Sequence, residues 1–212
     1  MITAAPTTNV TPPTVHRAAA RGALGFTLIE LMVTVAVLAI IAAIGVPSLQ
    51  GFIASSRLRS TTHDLYSALQ TARMEAIRRN ARVTVCKANA TLTNCNNSGT
   101  WNGGWLVFVD RLPGSTPNID NTDTVLLAAP PTSSQLLILG NGGGNGPATY
   151  VSYTADGGSK QLNGAFMAGK LRICSTSTAL SSDTRARDLV INATGRIVTE
   201  IPTGIAPTCP AP

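Results

Sequence analysis

Four cysteines carry the clearest chemistry in this sequence. They are Cys86, Cys95, Cys174 and Cys209, and no two of them have the Cys-x-x-Cys spacing of redox or zinc sites. An even number of cysteines beyond a membrane-type segment favours disulfides in an oxidising compartment, such as the periplasm or the cell surface. Four cysteines allow three pairings, and the sequential one, Cys86 with Cys95 and Cys174 with Cys209, is the simplest.

Neither histidine has the neighbours that catalysis requires. His16 lies in the N-terminal stretch, and His63 stands beside Asp64 with no nucleophile motif or metal-type spacing nearby. We therefore expect no catalytic residue, no metal and no cofactor, and we predict that the chain is not an enzyme. The glycine tract at 140–146 lacks the Gly-Lys-Ser/Thr ending of a phosphate-binding loop, so we interpret it as a surface loop.

A single carboxylate, Glu30, lies within the most apolar stretch of the chain, residues 26–46. At about 1.5 Å per residue, this stretch is long enough to cross a hydrocarbon core of about 30 Å. A carboxylate costs about 2.5–3.5 kcal/mol in mid-membrane and less near the interface, so Glu30 lies among the headgroups or has a compensating partner. Residues 1–25 contain Arg17 and Arg21 and no acidic residue, which predicts a cytoplasmic N-terminus and an exported remainder.

The helix that positions Glu30 is expected to continue beyond the apolar stretch. Apolar and small residues then recur at spacings of three and four, which predicts an amphipathic helix to about residue 80. These residues are Leu58, Thr62, Leu65, Leu69, Ala72 and Ala76. Because proline has no N–H to donate, Pro47 predicts a kink or a local break around residues 45–47.

Beyond Asn80 the sequence pattern is typical of short strands separated by turns. The predicted strands are Arg82–Cys86, Trp105–Val109, Gln135–Leu139, Tyr150–Tyr153, Leu171–Cys174, Asp188–Ile191 and Arg196–Ile201. The fold class is therefore α+β, with a long helix at 26–80, membrane-spanning over 26–46, and a mainly antiparallel β-rich head at 81–212. The net charge of +6 is modest for this length and does not by itself select an acidic partner.

The residues around Glu30 form a recognisable motif. Arg21-Gly22-Ala23-Leu24-Gly25-Phe26-Thr27-Leu28-Ile29-Glu30 places a glycine directly before the apolar stretch, whereas ordinary secretory signals have their small-residue cleavage site after it. This motif closely resembles the class III leader of type IV pilins and type II secretion pseudopilins. The resemblance implies that residues 1–25 are a leader, that a prepilin peptidase cuts after Gly25, and that the same enzyme methylates the new N-terminus at Phe26. It also implies that the apolar helix stays in the mature protein.

The same resemblance gives Glu30 a role in assembly. It implies that Glu30 pairs with the methylated amine of Phe26 on a neighbouring subunit as subunits enter a filament. Leu28, Leu31 and Val35 would then pack the helices of neighbouring subunits against one another. The implied partners are the prepilin peptidase and other pilins or pseudopilins, together with the membrane that the helix crosses once.

Further motifs resemble the minor pilins and pseudopilins of the FimT, FimU and secretion protein H group. They are Ala68-Leu-Gln-Thr-Ala-Arg-Met-Glu-Ala-Ile-Arg-Arg-Asn80, Val83-Thr-Val-Cys86, Trp101-Asn-Gly-Gly-Trp-Leu-Val-Phe-Val-Asp110 and Leu189-Val-Ile-Asn-Ala-Thr-Gly-Arg-Ile197. The resemblance extends over most of residues 26–200 and implies a type IV pilin-like fold. We interpret Trp101 and Trp105 as core and turn residues of the sheet, since no cations alternate with them as in a base-stacking surface.

Nucleic-acid binding is an alternative that the same group suggests. Some FimT-type members take up DNA through a Gly-Arg-x-Arg motif, but here the string is Gly195-Arg196-Ile197-Val198, which lacks the second arginine. Arg185, Arg187 and Arg196, together with Lys160, Lys170 and Arg172, could still contact phosphates. The competing interpretation is that these charges are scattered and solvated, with Gly195 making a hairpin turn.

These inferences favour a minor pilin of a type IV pilus, acting in the initiation of assembly or at the filament tip. One alternative is the minor pseudopilin H of a type II secretion system, which shares the leader, the anchor and the head. A further alternative is a DNA-binding minor pilin for DNA uptake. The expected location is the inner membrane, with a periplasmic C-terminal head, and then the filament.

Overall fold

The computed structural model describes residues 25–141 and 146–212. It contains one long helix, α1 (Leu28–Arg79), a 3₁₀ turn at Trp101–Gly103, and eight strands. The strands are β1 (Val83–Lys87), β2 (Trp105–Val109), β3 (Thr124–Ala129), β4 (Leu136–Gly140), β5 (Tyr150–Tyr153), β6 (Gly169–Ser175), β7 (Ala186–Ile191) and β8 (Ile197–Glu200). The leader up to residue 24 and residues 142–145 of the glycine tract lie outside the described residues, so the expectations for them stay predictions.

Helix α1 runs for 52 residues and ends where the sequence predicts. Asn80 follows it in the left-handed region with φ +50°, and the N–H of Ala81 donates to the carbonyl of Ala76 at 3.2 Å. This is a Schellman ending, which satisfies the last carbonyls of the helix. The helix continues through residues 45–47, so the local break expected there is wrong: one missing N–H removes a single bond of the helix.

The strands form two four-stranded antiparallel sheets. The first has the order β3-β2-β1-β5 and the second β4-β6-β7-β8. The structure confirms the α+β class and every predicted strand within two residues at each end. It adds β3, which the sequence does not mark, because its side chains are mostly exposed and lack apolar–polar alternation.

The chain divides into two compact units, one ending at Ala42 and the other covering Ala43–Pro212. The C-terminal part of α1 therefore belongs to the head. Its buried face contributes Leu58, Leu65 and Leu69, while Ala72 and Ala76 lie further along the same face. Small residues at these last positions let the helix approach the sheets closely, and the helix and both sheets share one hydrophobic core.

Polar contacts join the elements of the head around this core. Arg73 on α1 donates from Nε to the carbonyl of Gly157 at 3.0 Å and from Nη2 to that of Thr194 at 3.2 Å. Trp101 is buried and donates from Nε1 to the carbonyl of Pro147 at 3.0 Å. Trp105 is also buried, so both tryptophans pack in the core as the sequence predicts.

Candidate functional site

Glu30 lies in the first turn of α1, where it takes part in a capping box. The N–H of Glu30 donates to Oγ1 of Thr27 at 3.2 Å, and the N–H of Thr27 lies 3.5 Å from Oε2 of Glu30. Each side chain therefore satisfies an amide that the helix leaves without an internal partner. The negative carboxylate also lies at the positive end of the helix dipole, which lowers the cost of holding a charge beside apolar residues.

The capping box leaves Glu30 available to another group. A carboxylate has about four lone-pair sites, and the contact with Thr27 is long and uses one oxygen. Glu30 is exposed, and so are Gly25 and Phe26, which flank the predicted cleavage bond. The sequence carries the Thr-x-x-Glu signature of this cap at Thr27-Leu-Ile-Glu30, although our sequence interpretation did not use it.

The apolar part of α1 has no buried side chain in this chain. From Leu28 to Val46, its large hydrophobic residues expose between 49% of their surface, at Val37, and 79%, at Leu28. The helix is long and apolar enough to cross a membrane, with a mean hydropathy of 2.6 over its most apolar 18 residues. Since the apolar residues cover the whole circumference, this surface requires lipid or other apolar helices around it. Leu28, Leu31 and Val35 are among these exposed residues.

The head carries two disulfides, and their connectivity is sequential. Cys86 pairs with Cys95 across a Cα–Cα distance of 5.7 Å, and Cys174 pairs with Cys209 across 5.8 Å. The first bond closes the loop that leaves β1. The second attaches the C-terminal tail to β6.

Arg172 also holds the C-terminal tail. It forms a bidentate pair with Asp188 on the neighbouring strand, with Nε–Oδ1 and Nη2–Oδ2 distances of 2.8 Å. Its Nη1 donates to the carbonyl of Pro210 at 3.1 Å. Both charged side chains are buried, and the pairing with Asp188 raises the pKa of Arg172. Such a pair is costly to separate, because either partner alone would be an uncompensated buried charge.

The basic residues considered for DNA contact differ in burial and position. Arg185 is buried and donates to the carbonyls of Ser175, Ser177 and Leu180. Arg196 is exposed beside the β7–β8 turn, which Gly195 makes with φ +76°. Arg187 lies near the other end of β7, about 13 Å from that turn at 3.3 Å per residue.

The remaining cations of that set have partners of their own. Lys160 pairs with Asp156 at 3.1 Å, and Lys170 pairs with Glu200 at 2.9 Å. Arg172 is buried with Asp188, as described above. Gly195 thus makes the turn of a hairpin, as one of the two interpretations predicts. Arg196 and Arg187 lie near opposite ends of β7.

No group of three or more His, Cys, Asp or Glu side chains suited to a metal occurs within residues 25–141 and 146–212. His63 instead lies on an open side of α1 beside three clefts. One of these clefts brings Arg59 of the helix close to Arg187 of the sheet. Sequence reasoning missed this juxtaposition, because Arg59 and Arg187 are far apart in the chain and nothing local links them.

The arrangement of helix and sheets is that of a type IV pilin. The crystal structure of the type IV minor pilin FimU from Pseudomonas aeruginosa (strain PAO1), in space group P21, matches with a TM-score of 0.51 at 19% sequence identity, covering 71% of this chain and 96% of that one. A second crystal form of FimU, in space group P65, gives a TM-score of 0.49 at 18% identity, covering 70% of this chain and 99% of the chain in that structure. No match was found among curated proteins.

Two family models match the sequence itself. Residues 21–46 match the prokaryotic N-terminal methylation motif, which implies prepilin peptidase processing and assembly with pilins or pseudopilins. Residues 61–195, more than half of the chain, match type II transport protein GspH. The chain belongs to the GspH family of minor pilins and pseudopilins.

Proposed function

We propose that this chain is a minor pilin of a type IV pilus, which acts in the initiation of assembly or at the filament tip. The observation that carries the proposal is the exposed apolar helix, which begins with a capped but accessible Glu30 directly after the cleavage motif. A head with its own hydrophobic core and two disulfides suits a subunit displayed outside the cell.

The proposed mechanism begins with processing in the inner membrane, from which the head extends into the periplasm. The prepilin peptidase cuts between Gly25 and Phe26 and methylates the new amine, which remains positively charged. The carboxylate of Glu30 then forms an ion pair with the amine of a neighbouring subunit. The exposed apolar side chains at the same time replace their contacts with lipid by contacts with the helices of neighbouring subunits. The ion pair sets the register of the helices, and the apolar contacts supply most of the affinity.

The experiment that tests this mechanism replaces Glu30 by valine in the full chain. We expect Glu30→Val to be inserted, cleaved and methylated normally, as shown by mass spectrometry of the mature N-terminus, and yet to be absent from filaments. Glu75→Gln is the matched control, because Glu75 is a glutamate of the same helix whose partners among the described residues are Arg78 and Arg79. Gly25→Val supplies the reference for an uncut precursor. Wild-type numbers of filaments with Glu30→Val would contradict the role of Glu30.

The family match makes the minor pseudopilin H of a type II secretion system the second candidate. The same variants distinguish the two when they are returned to a deletion strain. Loss of surface filaments with normal protein secretion supports the pilus, and loss of secretion with normal filaments supports the secretion system. Uptake of DNA is not part of the proposal, because Arg185 is buried and Arg196 is distant from Arg187.

A further inference from the structure

An open cleft lies between α1 and the β7–β8 hairpin on the head. Its volume is about 330 Å³, and its lining residues are Arg59, Thr62, His63, Tyr66, Arg187 and Thr199. The first four come from successive turns of the helix. Arg187 and Thr199 come from strands β7 and β8, on the face that also carries the buried Leu189. All of these residues belong to the same compact unit.

Two of these side chains are cations that repel one another. Burial lowers the pKa of Arg187, and the nearby charge of Arg59 lowers it further. Among the described residues neither arginine forms a salt bridge, and Arg187 donates only to the carbonyls of Thr184 and Ala186. The neighbouring Asp64 lines a different cleft, beside Trp105. An anion placed between the two guanidinium groups would replace their repulsion by two attractive contacts.

The edge of a sheet runs along the same cleft. Among residues 25–141 and 146–212, strand β8 pairs only with β7, so its other side is a free edge within that part of the chain. The N–H of Asn192 donates to the carbonyl of Arg196 at 3.1 Å, so these two residues form a hydrogen-bonded pair. Along antiparallel strands, hydrogen-bonded pairs alternate with pairs that are not hydrogen-bonded. Val198 and Glu200 therefore bond to β7, and the N–H and C=O groups of Ile197 and Thr199 point away from it. Thr199 thus belongs both to the free edge and to the cleft.

We propose that this cleft receives an extended, acidic segment of a neighbouring subunit, which adds to β8 as a further strand and places a carboxylate between Arg59 and Arg187. The inference rests on the proposed function, because a filament supplies the neighbour. The free backbone groups decide the class of ligand: only another extended polypeptide pairs with them, whereas a phosphate or a nucleic acid would satisfy the cations and leave the edge of β8 unpaired.

The test places a photo-reactive amino acid at Thr199 in the full chain, in its native membranes. Thr199 is exposed, so the substitution leaves the core intact. We expect a cross-link to an acidic, extended segment of another pilin-type subunit, identified by mass spectrometry of the joined peptides. Arg59→Glu should lower the yield of this product about tenfold, since truncating or reversing one partner of a charge pair across an interface weakens it by at least that factor.

Arg57→Glu is the matched control. Arg57 is also an exposed arginine of α1, but it lines a separate cleft, where Nη1 donates to Oε1 of Gln135 at 3.1 Å. Its replacement should leave the cross-link at Thr199 unchanged. A yield that survives Arg59→Glu, a product formed mainly with nucleic acid or lipid, or no product at all would overturn the inference.

A second photo-reactive position separates this inference from the proposed function. Placed at Val35 on the exposed apolar helix, it should link to the helices of other pilins whenever the chain enters a filament. Cross-links at Val35 without any at Thr199 would reject the cleft and leave the proposed function standing. Absence of cross-links at both positions would reject the proposed function, and the inference with it.

Discussion

The two parts of helix α1 have opposite relations to their surroundings. From residue 28 to 46 its hydrophobic side chains are exposed, whereas from residue 54 to 76 a regular face of them is buried against the two sheets. The first part is apolar on every side and the second only on one. The head therefore supplies its own apolar environment, and the first part depends on lipid or on other chains.

Both parts are helical, and what differs between them is the requirement placed on the side chains. In the head, leucine and alanine positions are fixed by close packing, so each side chain has a defined shape to fill. In the exposed part, the requirement is only that the surface be apolar, with Glu30 as the one charged side chain between residues 26 and 46. Substitutions should consequently have different effects in the two parts.

The largest expected effect comes from truncating the same residue type in each part. Leu69 is 0% exposed and Leu38 is 64% exposed. Leu69→Ala should lower the free energy of unfolding of the head by about 4 kcal/mol, because it removes buried apolar atoms and leaves a cavity. Leu38→Ala should change it by less than about 0.5 kcal/mol.

Tryptophan fluorescence during urea unfolding of the detergent-solubilised full chain measures this difference. The chain has two tryptophans, Trp101 and Trp105, and both are in the head. The signal therefore reports on the head alone. Equal losses of stability in the two leucine variants would show that the two parts of the helix unfold as one cooperative unit.

The second-largest effect concerns the two disulfides, both of which lie in the head. Replacing both Cys174 and Cys209 by serine should lower the free energy of unfolding by about 3–4 kcal/mol, and replacing Cys86 and Cys95 by about 2.5 kcal/mol. The order follows from the sequence separations of 35 and 9 residues, because a longer closed loop restricts the unfolded chain more. Urea midpoints of the two double variants, each compared with the oxidised wild type, give the measurement; a reversed order would contradict this account.

The smallest effect concerns a buried carboxylate of the head. Asp110 accepts a hydrogen bond from Oγ1 of Thr84 at 3.1 Å. Burial raises its pKa from 3.8 to about 6, with a further contribution from the charge of Asp123. Between these two values the unfolded chain loses the proton more readily than the folded chain, so the head loses stability as the pH rises through this window.

Asp110→Asn should therefore stabilise the head by about 1 kcal/mol at pH 8 and leave it nearly unchanged at pH 4. Unfolding midpoints at both pH values provide the measurement. Thr84→Val is the control, because it removes the hydrogen bond and keeps the carboxyl group. If the effect of Asp110→Asn is the same at both pH values, the cause is packing and not ionisation.

Most of the fold could be predicted from the sequence, because its signals are local. The helix follows from a continuous apolar run and then a periodic one, and the strands follow from short apolar runs between glycine, proline and asparagine. Strand β3 was not predicted, because it is an exposed edge strand whose two faces differ little in hydrophobicity. A kink or a local break was predicted around Pro47, and the break is wrong, since a single proline does not interrupt this helix.

The candidate sites divide in the same way. The cleavage motif and Glu30 lie in one contiguous string, so the sequence presents them together. Arg185 and Arg187 look equivalent in the sequence, yet one is buried among backbone carbonyls and the other lines a cleft. The meeting of Arg187 with Arg59 depends on the packing of α1 against the second sheet, which no local pattern specifies.

The attachment of the C-terminal tail has a consequence for degradation. Exopeptidases remove residues from a loose chain end, and the terminal residues of most domains are poorly ordered. Here an exopeptidase that reached residue 211 would have to break the contacts of Arg172 with the carbonyls of Pro210 and Ala211, and it would then meet Cys209, which is buried and covalently held. An exopeptidase that reaches this segment should therefore stop at Cys209, so that removal of the head requires the head to unfold first.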